Sequence, residues 1–230
     1  MLIELYAGTL TRYYSEQWEN RHTRSGGKSP FTGPRNAGSV SDPVELQGVI
    51  ADWREKASEK LKEHLPEQLS WQEGMLPPYE VTELTFPGYG GAVMLAAYTV
   101  TGFIPRPTTF QKTWDKNPAI EQIMKGSKNN AIWEIMNCSL WLPCAFQFGI
   151  GMKDPSGSPI RCGSVDMLWS ALQQLNEANW NASPELIAEW RRIDLSDDMT
   201  FDRQAQFGFS AFYTMCRIAR DRRLPLKLHY

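Results

Sequence analysis

Four aspartates in the last fifth of the chain form the densest group of residues that could do chemistry. Carboxylates this close together could hold a metal ion, yet the calcium-loop pattern, with its glycine and terminal glutamate, is absent. The same acids precede or open a predicted helix, where the positive end of the helix dipole stabilises negative charge. We therefore expect helix capping or an acidic patch that docks on a basic partner, and no metal, from Asp194, Asp197, Asp198 and Asp202.

Nucleophilic catalysis is a second possible chemistry, and it needs a serine or cysteine supported by a base. Histidine is the usual base, and the chain offers only His22, His64 and His229. His64 falls on a charged predicted helix and His229 is the penultimate residue, so neither is an obvious buried base. The Gly-x-Ser-x-Gly elbow of hydrolases is absent as well. No catalytic residue is predicted, although a cysteine–histidine pair assembled only by folding stays open.

Two glycine-rich segments invite a nucleotide-binding interpretation, and both depart from the motif. Segment 26–29 reads Gly-Gly-Lys-Ser, but His22 occupies the place of the glycine with which a phosphate-binding loop begins. Segment 88–91 reads Gly-Tyr-Gly-Gly and lacks the third glycine of the dinucleotide fingerprint. We expect a basic loop at the first segment, close helix packing at the second, and no cofactor.

The cysteines, at positions 138, 144, 162 and 216, do not form a metal-binding pattern. None belongs to a Cys-x-x-Cys pair, and no two histidines have the spacing of metal ligands. Most of the cysteines stand among apolar residues, which favours buried, reduced thiols. Reduced thiols are typical of the cytoplasm.

Aromatic side chains near the N-terminus could anchor a protein interface. Tyr13, Tyr14 and Trp18 lie close together, with Glu19 beside them. Tyrosine and tryptophan are enriched at the centres of interfaces, because they bury a large area and keep a polar group. The same spacing suits one side of a short helix whose aromatics belong to the core. We predict a partner-binding surface here, with the core interpretation left open.

Composition limits the class of protein. Of 230 residues, 42% are hydrophobic and 22% charged, with a formal net charge of −2. This balance is typical of a globular chain and does not favour binding to nucleic acid. The long uncharged stretches at 84–105 and 135–152 are interrupted by proline, glycine or polar residues, so we predict no membrane span. The N-terminus lacks the features of a secretory signal, and we expect a soluble cytoplasmic protein.

A long amphipathic helix is the clearest predicted element. Asp42 is a helix N-cap residue, Pro43 suits the first helical position, and Glu45 completes an acidic first turn. Apolar residues then recur at steps of three or four as far as Leu65, and Pro66 ends the helix. Segment 42–83 holds ten acidic and four basic residues, a local net charge of −6. A solvated helix face or a binding surface would explain this charge.

The remaining pattern predicts an α+β fold. We expect a mainly helical single domain over residues 1–230, with a small antiparallel sheet or hairpin and a flexible loop at 25–42. The turn at 154–157, Asp-Pro-Ser-Gly, would close the hairpin. Helices are predicted at 11–24, 88–98, 117–125, 131–137, 164–175, 183–191 and 201–222, and strands at 2–10, 140–150, 160–162 and 224–230.

Several short segments also carry a resemblance to known proteins. The opening 8–14, Gly-Thr-Leu-Thr-Arg-Tyr-Tyr, with Trp-Glu-Asn at 18–20, resembles the start of a group of uncharacterised bacterial cytosolic proteins of about this length. Trp-Leu-Pro at 141–143, Asp-Pro-Ser-Gly at 154–157, Gly-Ser-Val at 163–165 and Arg-Leu-Pro at 223–225 fit the same group. The general character of that group is similar to that of immunity proteins, which neutralise toxins of polymorphic or contact-dependent systems.

Two functions from different classes are therefore expected. The first is a non-enzymatic protein that binds another protein, most specifically an immunity-type protein that neutralises a basic toxin domain. The acidic stretches at 42–83 and 194–202 would supply charge complementary to such a partner and speed its association. The alternative is a small-molecule-binding protein or enzyme whose site is assembled from dispersed residues. A deep pocket with perturbed ionisable groups would favour that alternative.

Overall fold

The structure is a computed structural model, and it describes residues 3–19, 42–65, 68–102, 104–126, 131–195 and 200–230. Apart from Asp42, the loop predicted at 25–42 lies outside the described residues, as does the Gly-Gly-Lys-Ser segment. The described residues form an α+β fold, which confirms the predicted class. None of their helices is both long and apolar enough to span a bilayer.

The helices and strands follow the chain in a mixed order. The strands are β1 (Glu4–Ala7), β2 (Glu80–Glu83), β3 (Leu140–Leu142), β4 (Ile150–Lys153), β5 (Pro159–Ser164) and β6 (Leu226–His229). The helices are α1 (Leu10–Tyr14), α2 (Pro43–Leu61), α3 (Phe86–Thr101), α4 (Pro118–Lys125), α5 (Ala131–Met136), α6 (Val165–Asn179), α7 (Pro184–Trp190) and α8 (Phe201–Asp221), with a 3-10 helix at Trp114–Lys116.

All six strands join one sheet, in the order β2-β1-β6-β3-β5-β4. The pairs are antiparallel except for β3 and β5, which run parallel. The predicted hairpin is present as β4 and β5, and Gly157 in its turn adopts a positive φ of 87°. The sheet is larger than expected, because β2 and the pairings of the terminal strands join distant parts of the chain.

The strand predicted at 140–150 is divided into two in the structure. β3 ends at Leu142, and the next residue, Pro143, has no amide hydrogen to donate to a neighbouring strand. A tight turn follows, in which the Cys144 amide donates to the Leu142 carbonyl at 2.8 Å. The chain resumes extended structure at Ile150, where β4 begins.

The two faces of the sheet are covered differently. On one face, α3, α6 and α8 pack over a large apolar core that includes Leu5, Trp141 and Leu228. On the opposite face, α2 packs over β3, β5 and β4, where it buries Ile50 and Trp53. Strand side chains alternate between faces, so each strand contributes to both layers.

Close packing of α3 against α8 lies at the centre of the helical layer. A Cβ atom added at Gly208 would overlap the carbonyl oxygen of Gly88, and one added at Gly91 would lie 2.7 Å from the Ala205 nitrogen. Only glycine leaves room for backbones at this distance. This contact confirms the close helix packing predicted for the Gly-Tyr-Gly-Gly segment.

Helix α2 begins where the sequence predicts, but it ends at Leu61, one turn before the predicted end at Leu65. The Asp42 carboxylate caps the helix by accepting a hydrogen bond from the Val44 amide at 2.7 Å. The predicted apolar face is buried, with Leu46, Ile50 and Leu61 at 5% exposure or less. Periodic burial and a capped N-terminus together account for a long helix in an otherwise charged segment.

The cysteine prediction is also confirmed in the main. Cys138, Cys162 and Cys216 are buried and Cys144 is half-buried, all as free thiols. Burial raises the pKa of Cys138 and of Cys144 to about 12, so both stay protonated at neutral pH.

The close helix crossing gives a stability prediction. Gly208→Ala places a methyl group against the backbone of α3, and we expect the free energy of unfolding to fall by about 1–3 kcal/mol or more. Gly48→Ala is the matched control, because Gly48 is an exposed residue of α2 with no atom within 4 Å of an added Cβ. This control should raise the free energy of unfolding by about 0.5–1 kcal/mol. Urea unfolding measures the free energy of unfolding of both variants. Equal effects of the two substitutions would contradict the close backbone contact between α3 and α8.

Candidate functional site

The half of the sheet that α2 leaves uncovered carries polar and aromatic side chains, which we call the polar nest. Tyr6 and Glu4 of β1 lie directly opposite Lys227 and His229 of β6. Glu4 and Lys227 are buried, at 1% and 6% exposure. Burying ionisable groups is costly unless they find partners, so their surroundings decide their state. The polar nest consists of Glu4, Tyr6, Lys227 and His229 from the strands, and Tyr13, Tyr14, Trp18 and Asp154 from the segments that cover them.

Helix α1 brings Tyr13 and Tyr14 over the strands. Its N-cap residue Thr9 accepts a hydrogen bond from the Arg12 amide at 3.2 Å. The Glu73 carboxylate accepts from the Leu10 and Thr11 amides, at 3.1 and 2.9 Å, and so satisfies two more donors of the first turn. The helix ends at Tyr14 instead of running to residue 24 as predicted, and Glu16 reverses the chain with a φ of 57°.

Tyr13 is held by two neighbours in the polar nest. Its hydroxyl lies 2.8 Å from Nδ1 of His229, within hydrogen-bond distance. The Trp18 ring stacks on the Tyr13 ring, with centroids 5.8 Å apart and an interplanar angle of 11°. The Trp18 Nε1–H donates to the Tyr13 carbonyl at 3.3 Å. The chain therefore reverses direction after α1, so that Trp18 packs against Tyr13 of the same helix.

Tyr14 joins the polar nest to the β4–β5 turn. Its hydroxyl donates to Oδ2 of Asp154 at 2.7 Å. The other carboxylate oxygen of Asp154 accepts from the backbone amides of Ser156 and Ser158, both at 3.0 Å. This buried carboxylate therefore orders the turn and anchors α1 at the same time. Lys227 lies nearby, with Nζ 5.8 Å from the centre of the Tyr13 ring.

Burial sets the ionisation of the polar nest. Burial raises the pKa of Tyr13 and of Tyr14, so both phenols stay protonated. Burial also lowers the pKa of Lys227, an effect that the charge of Asp154 opposes. Burial, with a smaller contribution from the charge of Lys227, lowers the pKa of His229 from 6.5 to about 4. At neutral pH the imidazole is therefore uncharged, and its Nδ1 can accept a hydrogen bond from the Tyr13 hydroxyl.

The structure brings together three of the residues predicted to contact a partner. Tyr13, Tyr14 and Trp18 are half-buried, and their polar atoms bond within the chain. Glu19 is exposed beside them, and its amide donates to the Tyr79 hydroxyl at 3.1 Å. The three aromatics pack together and Glu19 lies at the surface beside them, while their contact with a partner stays a prediction.

Five members of the polar nest were not among the predicted site residues: Glu4, Tyr6, Asp154, Lys227 and His229. The alternating pattern of the last strand places Lys227 and His229 on one face, and that pattern was the available signal. Nothing in the sequence marks the covering of that face by α1, because the two segments stand at opposite ends of the chain. The turn carrying Asp154 was recognised, but its bond to Tyr14 depends on tertiary packing.

The predicted aspartate patch lies elsewhere. Asp202 is exposed in the first turn of α8, where Thr200 is the N-cap residue, so its charge meets the helix dipole as expected. Asp194 is exposed in the segment after α7, while Asp197 and Asp198 lie outside the described residues. Helix α8 belongs to the layer on the opposite side of the sheet from α2. Among the described residues, no cluster of three or more histidine, cysteine or acidic side chains is arranged to hold a metal ion.

The exposed face of α2 carries a second acidic surface. Glu45, Asp52 and Glu59 are spaced seven residues apart and therefore share one face of the helix, with Glu55 beside them. We call these four exposed acids the acidic ridge. Two basic residues of the same helix turn toward backbone carbonyls instead: Arg54 donates to Trp71 at 2.9 Å, and Lys60 to Gly151 at 2.7 Å.

Two apolar side chains stand out near the start of α2. Leu76 and Val44 are 92% and 77% exposed, more than the other large apolar residues of the described chain that lie at the surface. Gln47, one turn along α2 from Val44, lies against Gly74, two residues before Leu76. The segment around Leu76 is held by Arg12, which donates to the carbonyls of Met75 and Pro77.

The lowered pKa of His229 gives a pH prediction. As pH falls below 6.5 the unfolded chain binds a proton at this histidine before the folded protein does, so folding loses stability between about pH 6.5 and 4. We expect His229→Gln to remove about 1–3 kcal/mol of that loss. Urea unfolding at pH 7 and pH 4.5 measures it.

The exposed His64 provides a matched control for this experiment. His64→Gln should keep the pH dependence of the original protein. A pH dependence that His229→Gln leaves unchanged would contradict a half-buried, neutral imidazole beside Tyr13.

Comparison with known proteins adds no relative: no protein-family model, curated protein or solved structure matches this chain. Two arrangements of side chains in the structure bear on function. One is the polar nest, which fixes α1 and the segment around Leu76. The other is the acidic ridge, which faces solvent on the same side of the sheet.

Proposed function

We propose that this protein binds a basic protein partner through the acidic ridge of α2, and that neutralisation of a bacterial toxin domain is the most specific form of this function. The observation that carries the proposal is the row of exposed acidic side chains on one face of α2. Acids at positions 45, 52, 55 and 59 face solvent, while Arg54 and Lys60 are engaged by backbone carbonyls. The protein would act without enzymatic activity or a cofactor.

The electrostatic argument concerns the rate and specificity of binding. A surface of one sign attracts a partner of the opposite sign before contact, and this attraction is screened by salt. Lys56 and Lys62 are exposed on α2 as well, and Lys62 pairs with Glu59 at 3.4 Å. The acids still outnumber the lysines on this face. Toxins that cut nucleic acid need a basic surface for their substrate, so the ridge would suit a nuclease domain.

The apolar side chains near the ridge support the same proposal. Interfaces combine a small apolar centre with a polar rim, and the apolar centre contributes most of the binding free energy. Val44 and Leu76 would supply the apolar contact, and Glu45 stands one residue from Val44. Charge would then set the rate of association, and these side chains would slow dissociation.

The polar nest would act as a support for this surface. Tyr13, Tyr14 and Trp18 are on the same side of the sheet as α2, and α1 packs against α2. The Tyr79 ring stacks on Tyr6 at 5.9 Å and lies under the Arg12 guanidinium at 4.8 Å. These contacts fix both ends of the segment that carries Leu76. Partner contact by Glu19 and by the exposed edge of Trp18 is part of the proposal.

The proposed location is the cytoplasm. The four cysteines are free thiols, three of them buried and one half-buried, and free thiols persist in a reducing compartment. A toxin that enters or is made in the cell would meet its neutralising partner there.

Charge reversal tests the acidic ridge. We expect Asp52→Lys with Glu55→Lys to slow association with the partner by about tenfold or more and to weaken its salt dependence. Both residues are exposed, so the thermal midpoint should stay nearly unchanged. The measurement is a pull-down of the tagged protein from its native host, read by quantitative mass spectrometry, followed by binding kinetics with the captured protein.

The matched control is Glu177→Lys with Glu189→Lys, which makes the same change in net charge on the opposite side of the sheet. It should capture the same basic partner as the original protein. A partner bound equally by the ridge variant, or the lack of any stoichiometric partner, would contradict the proposal. A partner that responds only to Asp197→Lys with Asp198→Lys would place the interface at the 194–202 stretch instead.

A further inference from the structure

A cavity lies on the helical side of the sheet, well away from the acidic ridge. Its volume is about 510 Å³, which is within the usual range for small-molecule sites. Its floor is one row across the sheet: Leu228 donates to the carbonyl of Ser139, Ser139 donates to the carbonyl of Arg161, and Arg161 pairs with Gly151. We call this cavity the trough.

Aromatic rings form one wall of the trough. Phe86 and Tyr89 come from the first turn of α3, and Tyr230 follows the last strand. The Tyr89 ring is fixed from behind by Trp114, with centroids 5.6 Å apart at 84°, and by Phe212 at 6.4 Å. Within the described chain, the Tyr89 hydroxyl makes no hydrogen bond. A flat, rigid wall with one unused hydroxyl favours a flat ligand that carries a polar group.

A single arginine supplies the positive charge of the trough. Arg161 pairs with Glu134 at 3.3 Å through Nη2, and its side chain is 42% exposed. A Cβ added at Gly149 would lie 2.7 Å from Arg161 Nε, so the glycine lets the guanidinium lie against the strand. A guanidinium has five N–H donors, and one ion pair leaves several of them for a second carboxylate.

The side chains of Asn137, Cys138 and Ser139, which also line the trough, carry no negative charge. The Cys138 thiol is buried, and burial raises its pKa to about 12, so it is uncharged at neutral pH. The hydroxyl of Ser139 and the amide of Asn137 are neutral. The N-terminus of α3, with its positive dipole end, lies beside Phe86 and adds to the same potential.

Open space above Gly151 completes the site. Gly151 stands on the edge strand β4, and a Cβ added there would meet no atom within 4 Å. Glycine inside a strand weakens the strand and often marks the close approach of a ligand. The trough is therefore unobstructed at this end.

We propose that the trough binds a small aromatic carboxylate, with its ring against Phe86 and Tyr89 and its carboxylate on Arg161. The inference is independent of the partner surface, since the trough and the acidic ridge lie on opposite sides of the sheet. Ring contact supplies the apolar burial, and the guanidinium together with the Tyr89 hydroxyl selects the acid over its neutral analogues.

Calorimetric titration with indole-3-acetate tests the proposal on the full chain. We expect saturable binding with one site, and binding of indole-3-acetamide about tenfold weaker or more, because the amide has no charge for Arg161. Equal binding of the acid and the amide would overturn the proposal, and so would the failure of the acid to bind at millimolar concentration. This comparison uses the unmodified protein and so does not depend on a variant that folds.

Two variants locate the binding. Gly151→Leu fills the open space with a side chain that meets no neighbour at its Cβ, and it should abolish binding while the thermal midpoint stays close to the original. Arg161→Gln should weaken binding about tenfold or more. The matched control is Arg222→Gln, since Arg222 pairs with Glu80 at 3.4 Å and has a similar exposure of 38%. Unchanged affinity in Gly151→Leu, or an equal loss in Arg222→Gln, would overturn the assignment.

Discussion

The close contact between α3 and α8 determines where the other parts of the molecule can lie. Glycines at 88, 91 and 208 let the two backbones meet, and the helices then make dispersion contacts along their length. Helix α8 also packs against β1, β2 and β6, so the crossing fixes the helical layer relative to the sheet. The first turn of α3, which contains Gly88, is also the turn that presents Phe86 and Tyr89 to the trough. A wider crossing would move that wall.

Alternation along the strands gives the sheet two chemically different faces. In β6, Leu226 and Leu228 face the helical core, while Lys227 and His229 face the other way. Helix α2 covers only half of that second face with apolar side chains, and the remaining half holds the polar nest. Buried polar groups are tolerated where hydrogen bonds replace those lost to water. The bonds of Tyr13 to His229 and of Tyr14 to Asp154 provide this compensation.

The division into faces also separates the two sites for which we propose a function. The acidic ridge is on the solvent side of α2, and the Arg54 and Lys60 side chains of the same helix are directed to backbone carbonyls. The trough opens on the helical side, where one arginine stands among aromatic rings. The sheet lies between the two sites as a single layer. A protein partner and a small ligand could therefore bind at the same time without steric conflict.

The sequence by itself determined the α+β class, the capped start of α2, the acidic first turn of α8, the β4–β5 turn and the close packing at residues 88–91. These features depend on local patterns: a cap residue, a helical or alternating period, a glycine where bulk is excluded. Tertiary structure alone decided the parallel pairing of β3 with β5, the addition of β2, and the meeting of Tyr13 with His229. It also decided that Arg54 and Lys60 leave the acids of α2 to face solvent. The physical reason is that burial and charge depend on which distant segments become neighbours, and a periodic pattern specifies a face without specifying what covers it.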